Sequence, residues 1–254
     1  ITILIAEHRL YYLMDLVDRV VFLEKGRLCK LFSKEDFLAL PEESIKAMGL
    51  RARTKPSLSL LEWKNEGALR YQKEEGFVSF SFGKIYGIVG ENGIGKSTFL
   101  RKLSGLENEK GSHFSLFGKE LSKKQRLALS AMVMQDVNQQ LFGDSVEEEM
   151  ELGKTGQKRS LKERYKGIID GQENEQNKTK PYNTTKEELL NALGLSELKD
   201  RHPMRLSGGQ KQRLALAATL YQEAKLFFFD EPTSGMDQKN MLRIASLLKS
   251  AIRE

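Results

Sequence analysis

The sequence predicts an α/β fold with a parallel α/β core, an antiparallel β subdomain ahead of it and a helical subdomain spanning roughly residues 140–222. Three observations carry this expectation. A glycine-rich loop, Gly90 to Thr98, joins a buried-strand run, Ile85 to Val89, to an apolar helix. A second apolar run, Leu226 to Phe229, ends in two adjacent carboxylates, Asp230 and Glu231. A third element opens at Ser207 with two glycines directly behind its cap and continues with apolar residues at helical spacing.

The elements follow in order along the chain. Ile1 to Ile5 reads as a short buried strand, and Arg9 to Asp18 carries Leu10, Leu13, Met14 and Val17 at helical spacing. Val20 to Leu23 and Leu28 to Phe32 read as a hairpin with Gly26 in its turn, after which Ser33 caps a new helix. This opening stretch, residues 1–48, holds too little apolar material to fold alone and reads as the end of a preceding domain. The basic run 49–56 is the expected linker, and a second domain is expected over 57–254. Within it, Leu58 to Trp63 and Phe77 to Phe82 are strands of the antiparallel layer. Thr185 and Glu188 form a capping pair for a helix that stops at Gly194.

Composition narrows the function classes. The 254 residues are 39% hydrophobic and 30% charged, enough for a core but with no apolar run near the ~18 residues that cross a bilayer. The net charge of +6 comes from 41 basic and 35 acidic residues scattered along the chain, a mixed solvated surface rather than a nucleic-acid footprint. Residues 153–183 hold eight Lys or Arg and four Asp or Glu, with only Tyr165 and Tyr182 as aromatics, so this segment reads as a polar surface insertion and no nucleic-acid partner is expected. Cys29, the sole cysteine, excludes an internal disulfide and reads as a small strand residue. The chain starts without methionine, basic leader or cleavage site, and is expected to be a segment of something longer.

The chemistry is concentrated in three places. Gly90-Glu-Asn92-Gly93-Ile-Gly95-Lys96-Ser97-Thr98 has the G-x-x-x-x-G-K-[ST] spacing of a phosphate-binding loop, and it has the strand before and the helix after that such a loop requires. Its glycines let backbone N–H groups face an anion, Lys96 reaches β and γ phosphates, and Ser97 offers a hydroxyl to Mg²⁺. At the exit of the apolar strand, Asp230 is placed to hold the Mg²⁺ shell and Glu231 to polarise the attacking water. Ser207 and Gln210 have capping-box spacing, while Gly208 and Gly209 leave the helix mouth bare of side chains, which suits an anion better than it suits helix stability. The ligand these features point to is ATP with Mg²⁺.

From residue 57 to 254 the sequence resembles the ABC transporter ATPases, P-loop NTPases in which these three motifs occur in this order. The resemblance implies that Ser207, Gly208, Gly209 and Gln210 close in trans over ATP held by a facing ABC ATPase domain. It implies that Gln135, in Met134-Gln-Asp136, contacts Mg²⁺ and the attacking water, and that Ser234-Gly-Met-Asp237 is the loop whose Asp237 lies near the nucleotide. Thr2 to Arg9 resembles the strand and switch histidine that close such a domain, so His8 is expected at the γ-phosphate of a preceding sister domain. The motif that would supply a histidine after Asp237 does not occur, so each site is expected to be incomplete, and weak ATP binding with little turnover is expected of this chain. An aromatic on the early strands stacks on adenine in the family; Tyr71 or Trp63 is the candidate here, with Tyr71 preferred.

A finer resemblance lies in Gln135-Asp-Val-Asn-Gln-Gln-Leu-Phe142, which is similar to the glutamine-loop region of energy-coupling-factor ATPases for vitamin and metal uptake, with Val137 and Gln139 as departures. It implies a polytopic membrane subunit as partner, peripheral attachment at the cytoplasmic face of the membrane, and Leu141 and Phe142 as an exposed docking pair. Tandem ABC proteins acting on ribosomes are the alternative, but these carry a long charged helical linker and 49–56 is short. Chromosome and repair ATPases split the motifs with a coiled coil, and 153–183 shows no sustained heptads.

Overall fold

A computed structural model of the chain describes residues 2–6, 13–24, 27–48, 69–74, 76–155, 184–222, 224–234, 236 and 238–253. In chain order the elements are β1 (Thr2–Ala6), β2 (Arg19–Glu24), β3 (Arg27–Ser33), α1 (Lys34–Leu38), α2 (Glu42–Ala47), β4 (Leu69–Lys73), β5 (Gly76–Phe80) and β6 (Ile85–Val89). They continue with α3 (Lys96–Ser104), β7 (Ser112–Leu116), β8 (Lys119–Glu120), α4 (Lys123–Leu129), β9 (Ser130–Val133) and α5 (Val146–Thr155). The last are α6 (Lys186–Ala192), α7 (Gly208–Tyr221), β10 (Leu226–Asp230) and α8 (Gln238–Arg253).

Two sheets organise the described residues. The larger runs β3-β2-β6-β1-β10-β9, parallel throughout except for β3, which pairs antiparallel with β2 at one edge. The smaller, β5-β4-β7-β8, is antiparallel. The α/β core with a separate antiparallel layer is the fold class the sequence predicts.

The opening segment sits inside the larger sheet. All five residues of β1 are buried, and it lies between the strand before the phosphate loop and the strand that ends in the carboxylates, with Ala6 level with both Ile88 and Asp230. Alternation explains the seat: Ile3 and Ile5 enter the core beneath α7 and α8, whereas Leu4 and Ala6 enter the core shared by α3 and the antiparallel sheet. Burying a side chain of this size gains about 1.5–3 kcal/mol, which a short strand obtains only between two neighbours. The expected boundary at 49–56 is therefore no break in this sheet, although residues 49–56 themselves lie outside the described residues.

Several local expectations are met. The hairpin forms as β2 and β3, and Ser33 caps α1 by accepting from the Asp36 N–H at 3.0 Å. Thr185 and Glu188 make a reciprocal capping box on α6, and Gly194 follows with φ of +65°. Cys29 lies exposed on β3. The helix expected over 9–18 differs: its described part is a turn, with the N–H groups of Leu16 and Val17 both donating to the Leu13 carbonyl. Asp18 ends that turn because its carboxylate accepts from the Ile85 N–H at 2.9 Å, pinning the chain to β6. The strand expected at Leu58 to Trp63 lies outside the described residues, as does 156–183 of the polar insertion; residues 153–155 complete α5.

Candidate active site

The phosphate loop leaves β6 and turns into α3 as the sequence predicts. Gly95 is the N-cap of α3 at φ of +104° and Gly93 stands at +79°, left-handed positions that only glycine holds cheaply. Gly90 is required for a different reason: a Cβ there would lie 2.5 Å from the Leu23 carbonyl oxygen, so the end of β2 presses directly on the loop. Lys96 is buried, and its Nζ donates to the Gly90 and Glu91 carbonyls, each at 2.9 Å, which folds the ammonium back over the cradle.

Asp230 ends β10 at the same edge of the sheet and is 3% exposed. Burial pushes its carboxyl up from the usual carboxylate value; a hydrogen bond from the Ser97 hydroxyl opposes this, and the neighbouring Glu231 charge adds to it. The hydroxyl and carboxylate expected to hold Mg²⁺ are thus in contact. A buried carboxylate whose charged form is disfavoured, touching a phosphate-loop hydroxyl, fits a divalent cation that takes a few protein oxygens together with phosphate oxygens.

Glu231 stands at φ of +47°, in the left-handed region where a non-glycine residue is strained. Three backbone contacts hold it there: its N–H donates to the Ala6 carbonyl at 2.8 Å, and its carbonyl accepts from the Ser234 N–H at 3.1 Å and from Gln212 Nε2 at 3.4 Å. Gln212 is buried on α7, so the helix that begins at Ser207 is tied to the strand exit that carries Glu231. Sequence reasoning missed Gln212, because a glutamine at the fifth position of a helix signals nothing until its neighbour is placed.

Gln135 is exposed two residues past β9, whose Val133 pairs with Phe229, so it leaves the sheet at the edge where Asp230 and Glu231 stand. The mouth of α7 has the expected capping box: Ser207 Oγ accepts from the Gln210 N–H, and Gln210 Oε1 accepts from the Ser207 N–H at 2.8 Å. Gly208 has nothing within 4 Å of a built Cβ, an open surface at the helix start. His8 and Asp237 lie outside the described residues; the strand leading to His8 is β1, in this sheet.

Two expectations need correction. Tyr71 was the preferred adenine-stacking residue, but it is 6% exposed on β4, with its ring against Phe99 and Phe114 at centroid separations of 5.4 and 5.1 Å. Its hydroxyl donates to Glu109 Oε2 at 2.8 Å, and burial together with that carboxylate raises the phenol far above its ordinary value. The ring has no open face, because the strand alternation points residue 71 at α3. Trp63 lies outside the described residues. Leu141 is 3% exposed and part of the core, whereas Phe142 is 77% exposed, so the expected docking pair is one residue.

Comparison with known proteins agrees with this geometry. The ABC transporter family matches residues 77–234. An ABC transporter ATP-binding protein of Treponema denticola is 39% identical over 98% of this chain and 50% of its own length, so the chain spans about half the length of that relative. The energy-coupling factor transporter ATP-binding protein EcfA1 of Thermotoga maritima is 34% identical over 69% of this chain and 60% of its own. Among solved structures, CbiO1 of Clostridium perfringens, described as part of the ABC transporter complex cbiONQ, matches with a TM-score of 0.52 and 26% identity over 74% of this chain and 72% of that one. With its phosphate loop, strand carboxylates and capped glycine mouth in the order and geometry described, the chain belongs to the ABC transporter ATP-binding family.

Proposed function

We propose that this chain is one ATP-hydrolysing side of a facing pair that drives uptake of a vitamin or metal ion through a polytopic membrane subunit. The observation that carries the ATPase reading is the convergence of Lys96, Ser97, Asp230 and Glu231 at one sheet edge, with Ser97 bonded to Asp230. Lys96 exchanges its two carbonyl partners for β and γ phosphate oxygens, and the N–H groups of the loop receive the remaining charge. Ser97 and Asp230 would hold Mg²⁺, with Gln135 beside it, and the ion would supply charge neutralisation at the phosphates. Glu231 orients the attacking water and takes up its proton.

The mouth of α7 is the complementary half. It points its bare turn to solvent, and it serves ATP held by the facing domain, while a facing signature turn serves the ATP at Lys96. Residues 1–48 carry the strand and histidine order that closes a domain of this family; we read them as the closing unit of a sister domain, with 57–254 as the second. The seat of β1 beside β10 supports His8 as a γ-phosphate contact in whichever domain that strand completes.

The importer reading rests on the similarity to EcfA1 and CbiO1 and on Phe142, a large apolar side chain left 77% exposed just after the glutamine loop. Such a residue suits a membrane subunit docked at the cytoplasmic face. Affinity purification of the full-length polypeptide from solubilised membranes tests this: recovery with a polytopic subunit, and ATP hydrolysis that disappears with Lys96→Ala, are expected. Recovery with ribosomes and without a membrane subunit would contradict it.

A further inference from the structure

β9 is an edge strand: the larger sheet ends with it, and its outer side has no strand partner among the described residues. That edge is nevertheless occupied. The side chain of Gln140 lies along it, donating from Nε2 to the Met132 carbonyl at 2.6 Å and accepting at Oε1 from the Met134 N–H at 3.0 Å. One amide that donates to the carbonyl before Val133 and accepts from the N–H after it makes the pattern a parallel neighbouring strand would make. The backbone so fixed is the three residues immediately before Gln135.

The loop that carries Gln140 is anchored at both ends. Asp136 caps the turn at Val137–Gln139, accepting from the Asn138 N–H at 3.1 Å and from Gln139 Nε2 at 3.1 Å, and the Gln140 N–H closes the turn onto the Val137 carbonyl. On the far side, the N–H groups of Phe142 and Gly143 both donate to Oε2 of the buried Glu149 at 2.7 Å, tying the loop to α5. Leu141 is sunk in the core between these anchors. The backbone between Gln135 and the exposed Phe142 is thus anchored at several points along the loop.

We propose that Gln140 is the positioning residue for Gln135, its side-chain amide standing in for a seventh strand on the free edge of β9. The inference rests on the reading of Gln135 as the residue beside Mg²⁺ and the attacking water. Gln140 touches neither; it sets where the chain leaves the sheet.

The test uses the full-length polypeptide in its facing pair, measuring ATP hydrolysis against Mg²⁺ concentration, nucleotide affinity without Mg²⁺, and the melting temperature. Gln140→Met keeps the length and removes the amide. Loss of a paired amide is expected to lower kcat roughly 5- to 10-fold and raise the half-saturating Mg²⁺ by a similar factor, with metal-free nucleotide affinity within about two-fold. Gln140→Glu keeps the acceptor for Met134 and loses the donor for Met132 until it is protonated. Its rate relative to wild type is therefore expected to recover as the pH is lowered and the introduced carboxyl takes up a proton, while Gln140→Met shows no such recovery. Unchanged kcat and Mg²⁺ midpoint in Gln140→Met would overturn the proposal, as would a fall in melting temperature with no shift of the Mg²⁺ midpoint. If Gln135→Ala itself leaves kcat and the midpoint unmoved, the reading of Gln135 fails first, and this inference falls with it.

Discussion

Among the described residues, the helix mouths at the starts of α3 and α7 are the two proposed to meet phosphate, and they are finished in opposite ways. The α3 mouth is enclosed: Lys96 is folded back onto Gly90 and Glu91, Ser97 bonds a buried Asp230, and the end of β2 leaves no room for a Cβ at Gly90. The α7 mouth has a satisfied cap at Ser207 and open space at Gly208, and Gln210, its third residue, is engaged in that cap. On the proposed reading, the enclosed mouth, with a cation and a carboxylate of its own, is the one suited to hold a triphosphate and its metal. The open mouth would, on the same reading, lend its N–H groups to a ligand that a facing domain holds. The difference supports the proposal that one binds nucleotide and the other completes a neighbour's site.

Substitutions at the two mouths should therefore separate. Lys96→Ala is expected to have the largest effect, a loss of roughly 10²–10³-fold in kcat/KM together with weakened ATP binding, read by steady-state hydrolysis and nucleotide titration. Glu231→Gln should lower kcat about 10²-fold or more while ATP affinity stays within about two-fold, since it removes the proton acceptor and not the phosphate cradle. A Cβ added at Gly208 meets no atom within 4 Å, so Gly208→Glu should fold normally, yet it would place a negative charge where the neighbour's phosphate is proposed to dock. A loss of roughly 10-fold or more in hydrolysis by the assembled pair is expected there, with this chain's own ATP affinity unchanged, the opposite pattern to Lys96→Ala.

The smallest effect sharpens the correction at Tyr71. Tyr71→Phe removes the hydroxyl from Glu109 and should cost about 1 kcal/mol, or ~2–4 °C in melting temperature, with ATP affinity unchanged. Glu109 gives the pH dependence of the same cluster. Burial alone would raise its carboxyl, but hydrogen bonds from Lys102, Lys73 and Tyr71 outweigh that and bring it to about 2, below the ordinary 4.5. A depressed carboxylate contributes stability above its unfolded value and loses it as pH falls through the folded one. Acid titration of the melting temperature should therefore show a decline between about pH 4.5 and about pH 2 that shrinks when Lys102 is replaced by methionine.

Local chemistry made both mouths legible in the sequence. A loop of fixed spacing between a strand and a helix, or a serine three residues before a glutamine, specifies its own geometry from contiguous residues, and those assignments stand in the fold. What was not legible depends on strand order. That β1 sits between β6 and β10 is a long-range choice no local pattern states, and so is the support Ala6 gives to Glu231. Gln140, Gln212 and Glu149 read as ordinary polar residues until an edge strand, a strained carboxylate and a loop are set beside them. Tyr71 was misread because its strand, β4, faces its odd-numbered residues toward α3, where an aromatic ring serves the core.

The division of labour between the mouths is tested most directly by a γ-phosphate photoprobe of ATP in the assembled pair, followed by mapping of the labelled residues. Labelling of Ser207 to Gln210 should persist when Lys96 is replaced by alanine and disappear when the facing domain's phosphate loop is disabled. Labelling lost with Lys96→Ala and retained with the facing loop disabled would mean that the α7 mouth serves the chain's own nucleotide.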